Sequence, residues 1–288
     1  VSTQWPLRPS YGGSFKDKKS SSKGGAAAYE VTMASLHLGL SSIPRPSFRP
    51  TCNLIIRCSA ERQALFNRIA PVYDNLNDLL SLGQHRVWKR MAVSWSGAKE
   101  GDDVLDICCG SGDLTFLLSE RVGPHGKAVG LDFSNEQLLI ASTRQNLRSK
   151  TCYKNIKWME GNALELPFPD SSFDAVTIGY GLRNVVDRHK AMAEICRVLK
   201  PGSMVSVLDF NKSINPLSTT IQELMIDNIV VSVASGYGLE NEYKYLKSSI
   251  KDFLTGNELE KLALEVGFST AKHFEIGFGL MGNLVAIR

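Results

Sequence analysis

The chain runs to 288 residues, 43% hydrophobic and 22% charged, which supplies a sizeable core for one large or two small domains and argues against global disorder. No run approaches the roughly 18 apolar residues that a membrane-spanning helix needs, so a helical integral membrane protein is excluded. The net charge of +4 belongs to one end: residues 1–58 hold eight of the 33 Lys and Arg but only Asp17 and Glu30 of the 29 acids, leaving a slightly acidic body without the spread basic surface of a nucleic-acid binder.

Residues 1–58 contain ten serines and no apolar periodicity, the composition of a disordered import signal. From Met33 to Ala60 there is no acid, and Ile56-Arg57-Cys58-Ser59-Ala60 resembles a plastid stromal processing site. The expected signal is 33–58, with 1–32 as an upstream extension. A mitochondrial presequence shares this composition, and so does a plain disordered tail. Residues 59–288 are expected to form a single domain. In chain order, Asp103–Ile107, Ala128–Leu131, Ile156–Met159, Ala175–Ile178, Met204–Leu208, Ala271–Glu275 and Leu284–Ile287 read as strands, with helical patterns between them. Such alternation predicts an α/β fold built on a mostly parallel, doubly wound, Rossmann-like sheet. Capping boxes are expected at Ser134/Gln137 and Thr255/Glu258, a cap at Asp187, a stop at Lys200-Pro201-Gly202, and a helix end at Gly267. Residues 61–98 precede the alternation and 211–253 interrupt it, and these are the segments expected to cover a substrate. An apolar helix face over 217–234 (Ile221, Leu224, Met225, Ile229, Val230, Val233) fits ordinary core packing, a tunnel for a greasy tail, or contact with a bilayer.

The chemistry concentrates in Val104-Leu-Asp-Ile-Cys-Cys-Gly-Ser-Gly-Asp113, a strand running into a glycine turn and then a helix over Leu114–Arg121. Gly110 and Gly112 are expected to let a ligand approach the backbone, and the helix start offers amides. Asp132, at the end of the next strand, is placed to accept from two ribose hydroxyls. A dinucleotide is disfavoured, because its third glycine is replaced by Thr115. Asp106 also suits an amino group and a sulfonium better than a pyrophosphate. S-adenosyl-L-methionine fits, with Asn162 and Ala163 at the adenine edge. The six cysteines form no C-x-x-C pair, so neither zinc nor a disulfide framework is indicated and a reducing compartment is expected. Cys108 and Cys109 read as small packing residues.

Several further segments carry a resemblance: Gly130-Leu-Asp-Phe-Ser134, Leu166-Pro-Phe-Pro-Asp-Ser-Ser-Phe-Asp174, Gly181-Leu-Arg-Asn-Val185, Arg197-Val-Leu-Lys-Pro-Gly202, Phe66-Asn-Arg-Ile-Ala-Pro-Val-Tyr-Asp74, Gly83-Gln-His-Arg-Val-Trp88 and Tyr243-Lys-Tyr-Leu246. With the glycine turn, they resemble the quinone C-methyltransferases of ubiquinone and menaquinone biosynthesis from about Phe66 to the C-terminus. The resemblance implies a class I methyltransferase sheet with a last antiparallel strand. It also implies cofactor contacts at Ser111, Asp132, Asn162, Ala163 and Gly179. Position 179 is often Ser in that family, and Ser203 stands where a second Gly is usual.

The implied reaction methylates a ring carbon of a reduced quinol, since an ionised hydroxyl makes that carbon electron-rich. Arg183 is expected to stabilise the oxyanion, His85 to act as base or hydrogen-bond partner, and Asn184 and Tyr73 to orient the ring. Each has a plainer reading: Arg183 paired with Asp187 on the surface, His85 on a helix surface beside Trp88, Tyr73 in lid packing. No metal is needed. The targeting arm points to a plastid enzyme acting on a prenylated naphthoquinol, the precursor of phylloquinone. A mitochondrial benzoquinol enzyme carries the same motifs, and a non-catalytic cofactor-binding scaffold is the alternative from another class. A nucleic-acid enzyme is disfavoured, because strand four leads into Gly179-Tyr-Gly-Leu182 and no Pro-Cys occurs. Expected partners are the lipophilic quinol and peripheral contact with a membrane or lipid droplet, and the motifs are compatible with a homodimer.

Overall fold

A computed structural model describes residues 83–213 and 240–288, together with 219, 220, 222 and 224, and all of them fall within one compact unit. The expected signal, Tyr73 and most of the candidate lid lie outside the described residues. So does the 217–234 face apart from Leu224, which is exposed.

Seven strands make one sheet: β1 (Asp103–Ile107), β2 (Lys127–Asp132), β3 (Ile156–Glu160), β4 (Phe173–Gly179), β5 (Leu199–Phe210), β6 (Thr270–Ile276) and β7 (Met281–Ile287). Their order is β3-β2-β1-β4-β5-β7-β6, and β7 alone runs against its neighbours. All seven expected strands are present, and the last one is antiparallel as expected. The helices are α1 (His85–Trp95), α2 (Asp113–Val122), α3 (Asn135–Asn146), α4 (Arg188–Val198), α5 (Glu240–Lys251) and α6 (Gly256–Glu265).

The central strands are buried on both faces, which is why they read as near-continuous apolar runs. Leu105 and Ile107 of β1 pack into one core layer with Ile178, Leu182 and Met192, while Val104 faces the other with Leu114, Phe116 and Leu118. Asp106 shares the Val104 face by the two-residue period of the strand and is fully buried. From β1 the chain winds outward through β2 to β3, then returns to β4 on the opposite side of β1. The β1/β4 junction is therefore the switch point at whose carboxyl edge such sheets hold ligands.

Local signals fared unevenly. Thr255 and Glu258 make the full reciprocal box, and Asp187 caps α4 by accepting from Lys190 N at 2.9 Å. Helix α6 closes on Gly267 (φ +111°): Gly267 N donates to Leu264 O and Phe268 N to Ala263 O, a Schellman ending. Lys200-Pro201-Gly202 does stop α4, yet no loop follows. Strand β5 begins at once with Leu199, and its pairing with β4 shifts register between Phe173 and Ala175, which accommodates the proline. At Ser134 only half of the expected box forms, because Asp132 Oδ1 already takes the Ser134 amide.

Candidate active site

The carboxyl edge at β1/β4 opens into a cavity. Its described walls include Asp106, Cys108, Cys109, Gly110, Ser111, Asp113, Asp132, Asn162, Ala163, Gly179 and Asn184, with Lys89, Gln137 and Tyr180. Most of the expected cofactor residues therefore meet in one place.

Asp106 is held by two hydroxyls: Thr177 donates to Oδ1 at 2.8 Å and Thr115 to Oδ2 at 2.7 Å. The replacement that argues against a dinucleotide, Thr115, is thus the partner of this carboxylate. Burial pushes the Asp106 pKa up to about 7 against those two hydrogen bonds. Asp132 is also buried. Its Oδ2 accepts from Gly110 N at 2.8 Å and its Oδ1 from Ser134 N at 2.9 Å, and desolvation raises its pKa in spite of the amides. The carboxylate thus ties the glycine turn to the end of β2 while facing the cavity.

The two glycines of the turn differ. Gly110 has φ +53°, and an added Cβ would meet only Gln137 Oε1, at 3.8 Å, so its open side is cavity. Gly112 has φ +93°, is absent from the described cavity wall, and a Cβ there would stand 2.5 Å from Trp158 Cη2. What the structure shows at Gly112 is packing: it makes room for Trp158, which crowds Gly130 in the same way.

Behind the turn lies an ionic staple with no signal in the glycine motif. Lys89 Nζ bonds Asp113 Oδ2 at 2.6 Å, and Arg144 bonds Asp113 Oδ1 at 2.6 Å and the Ser111 hydroxyl at 2.6 Å. Burial pushes the Asp113 carboxyl up, but the two cations outweigh it and hold the group well below the usual carboxylate range. The Ser111 hydroxyl is therefore bonded within the protein while its residue lines the cavity.

Among the expected catalytic residues, Asn184 reaches the cavity. Its Nδ2 donates to Tyr180 O at 3.0 Å and its Oδ1 accepts from the Tyr245 hydroxyl at 3.0 Å. Arg183 does not form part of the described wall. It is buried, with Nη1 2.7 Å from Asp209 Oδ1 and 2.7 Å from Tyr180 O, while its own amide donates to Asp209 Oδ2 at 3.1 Å. The surface pairing with Asp187 is corrected by this placement: Arg183 is buried with its charge met by Asp209, and Asp187 caps α4 instead. His85 is buried at the head of α1 and is not on the described cavity wall, so its surface reading is also corrected. Cys109 is buried and Cys108 half-buried, and desolvation pushes both thiols well up, which fits packing and disfavours thiolate chemistry.

The donor set fits the expected cofactor on structural grounds. A buried carboxylate with raised pKa faces the cavity where a cationic group would sit, a second stands at the strand end, and a glycine leaves backbone open between them.

Comparisons with known proteins agree. The family model described as "ubiE/COQ5 methyltransferase family" matches residues 57–288. A 2-phytyl-1,4-beta-naphthoquinone methyltransferase, chloroplastic, of Arabidopsis thaliana is 68% identical over 234 residues, covering 81% of this chain and 90% of its own. A 2-phytyl-1,4-naphtoquinone methyltransferase of Nostoc sp. is 49% identical over 223 residues, covering 77% and 96%. Among solved structures, a SAM-dependent methyltransferase of Aquifex aeolicus superposes with TM-score 0.53 at 18% identity, covering 74% of this chain and 97% of that one. One of Thermotoga maritima, described as a possible histamine N-methyltransferase, gives 0.55 at 18%, covering 78% and 98%. At that identity these two speak for the fold alone. The chain belongs to the ubiE/COQ5 methyltransferase family.

Proposed function

We propose that this protein transfers a methyl group from S-adenosylmethionine to a ring carbon of a reduced 2-phytyl-1,4-naphthoquinol in the plastid, completing the phylloquinone ring. The observation that carries the reading is the pair of buried carboxylates, Asp106 and Asp132, that line one cavity with Gly110 at the sheet's switch point. The naphthoquinol and the plastid follow from the relatives' names together with the basic, acid-poor stretch before residue 61.

When bound, the cofactor supplies an electrophilic methyl on a sulfonium centre. Asp106 offers its charge to the cationic methionine end, Asp132 holds the ribose, and Asn162 with the Ala163 backbone meets the adenine. Lys89, Asp113 and Arg144 keep the glycine turn from opening. On the acceptor side Asn184, fixed by Tyr180 and Tyr245, orients the ring. Arg183 acts as a positioning residue, since its bonds to Asp209 and Tyr180 O shape the turn that presents Asn184. The quinol must give up a hydroxyl proton as the carbon attacks; the ring proton then leaves to restore aromaticity and the oxygen regains a proton, so one proton is released net for each methyl gained. The oxidised quinone lacks that electron-rich carbon and is not a substrate.

A phytyl chain dissolves in lipid, so the protein works against a membrane or droplet surface. The fully exposed Phe278, at the β6–β7 turn on the sheet's carboxyl edge, is placed to touch it. No helix among the described residues is long and apolar enough to cross a membrane. The test is turnover by the full chain with labelled methyl donor and a panel of reduced prenyl naphtho- and benzoquinols. Label on the naphthoquinol ring carbon is expected, and preference for a benzoquinol would overturn the substrate assignment.

A further inference from the structure

We infer that Gln137 reads one ribose hydroxyl of the cofactor, sharing with Asp132 a recognition that sequence reasoning gives to the acid alone. The inference rests on the cofactor reading above.

Gln137 is the third residue of α3 and only 3% exposed, and its backbone amide donates to Ser134 Oγ at 3.2 Å. In a complete capping box its side chain would return to the Ser134 amide. That amide is already bound by Asp132 Oδ1 at 2.9 Å, so the side chain is released. Its Oε1 is buried without a hydrogen-bond partner and lies on the cavity wall, 3.8 Å from where a Gly110 Cβ would stand. A buried carbonyl left unmatched is costly, and native proteins rarely keep one without a use.

The acceptor sites of Asp132 point to that use. A carboxylate has about four lone-pair directions. Backbone amides of Ser134 and Gly110 take two of them, one on each oxygen. Oδ2, the oxygen tied to Gly110 on the cavity wall, keeps one direction for one hydroxyl, whereas a ribose brings two adjacent hydroxyls. Gln137 Oε1 and Asp132 Oδ2 flank the same residue, Gly110, so one hydroxyl goes to each acceptor.

The experiment is equilibrium binding of S-adenosylhomocysteine and its 2′-deoxy and 3′-deoxy forms to the full chain and to Gln137→Leu, with folding checked by thermal melting. For the native protein, removing either hydroxyl should weaken binding about tenfold. Gln137→Leu should bind the parent about tenfold more weakly, become indifferent to one hydroxyl, and keep the penalty for the other. The inference is overturned if the variant keeps both penalties, or if the native protein tolerates loss of one hydroxyl. The second comparison needs no variant at all. A native chain that bound none of the three would overturn the cofactor reading as well, which distinguishes the two failures.

Discussion

At the scale of single residues, two buried charges lead to opposite expectations. Asp106 titrates near 7 in the fold and near 4 when unfolded, so between those values the folded state retains a proton that the unfolded chain has released. Stability of the ligand-free protein should therefore fall as pH rises from about 4 to about 7, by up to about 4 kcal/mol. Asp106→Asn should melt higher than the native protein at pH 8 while binding S-adenosylmethionine more weakly, because the substitution removes a charge that only the cofactor repays. Thermal melts at pH 5 and 8 check this, and a variant that melts lower at pH 8 would contradict it. Arg183→Ala does the reverse, stranding Asp209 in the interior. Urea unfolding should show a loss of about 3–5 kcal/mol, partly restored in the double variant Arg183→Ala/Asp209→Ala. Asp106 was readable from sequence because an acid inside an apolar strand demands an explanation. The placement of Arg183 was not, since its partner, Asp209, is 26 residues away at the end of β5.

At the scale of elements, the strands were legible because burial on both faces leaves an unbroken apolar signature. The turn chemistry was only half legible. Gly110 and Gly112 look alike in sequence and both hold positive φ, yet one borders open cavity and the other borders an indole. Their alanine variants should therefore separate. Gly110→Ala should cost stability about 1 kcal/mol of left-handed backbone strain and chiefly reduce cofactor affinity. Gly112→Ala adds a clash with Trp158 to the same strain, so it should unfold at markedly lower urea. Equal stability of the two would refute the packing role of Gly112. The ionic staple across α1, α2 and α3 escaped notice for a related reason: Lys89, Asp113 and Arg144 come from three separate helices, and no local spacing announces their meeting.

For the molecule as a whole, α/β alternation and the glycine turn were enough to indicate a nucleoside-binding sheet, and the family segments named the reaction. The site motifs are common to naphthoquinol and benzoquinol enzymes, so it is the relatives' names, together with the resemblance of Ile56–Ala60 to a plastid processing site, that favour the naphthoquinol. That division is physical: the cofactor half of the described cavity is built from strand ends and the turns that follow them, whose pattern is fixed by the fold.

Everything functional depends on the carboxylates around Gly110 holding the methyl donor. Calorimetric titration of the full chain with S-adenosylmethionine, beside Asp132→Ala, measures this directly. Saturable one-to-one heat in the native protein, lost or weakened at least tenfold in the variant, is the predicted result. A native protein that gives no heat, or a variant that binds equally well, would contradict it.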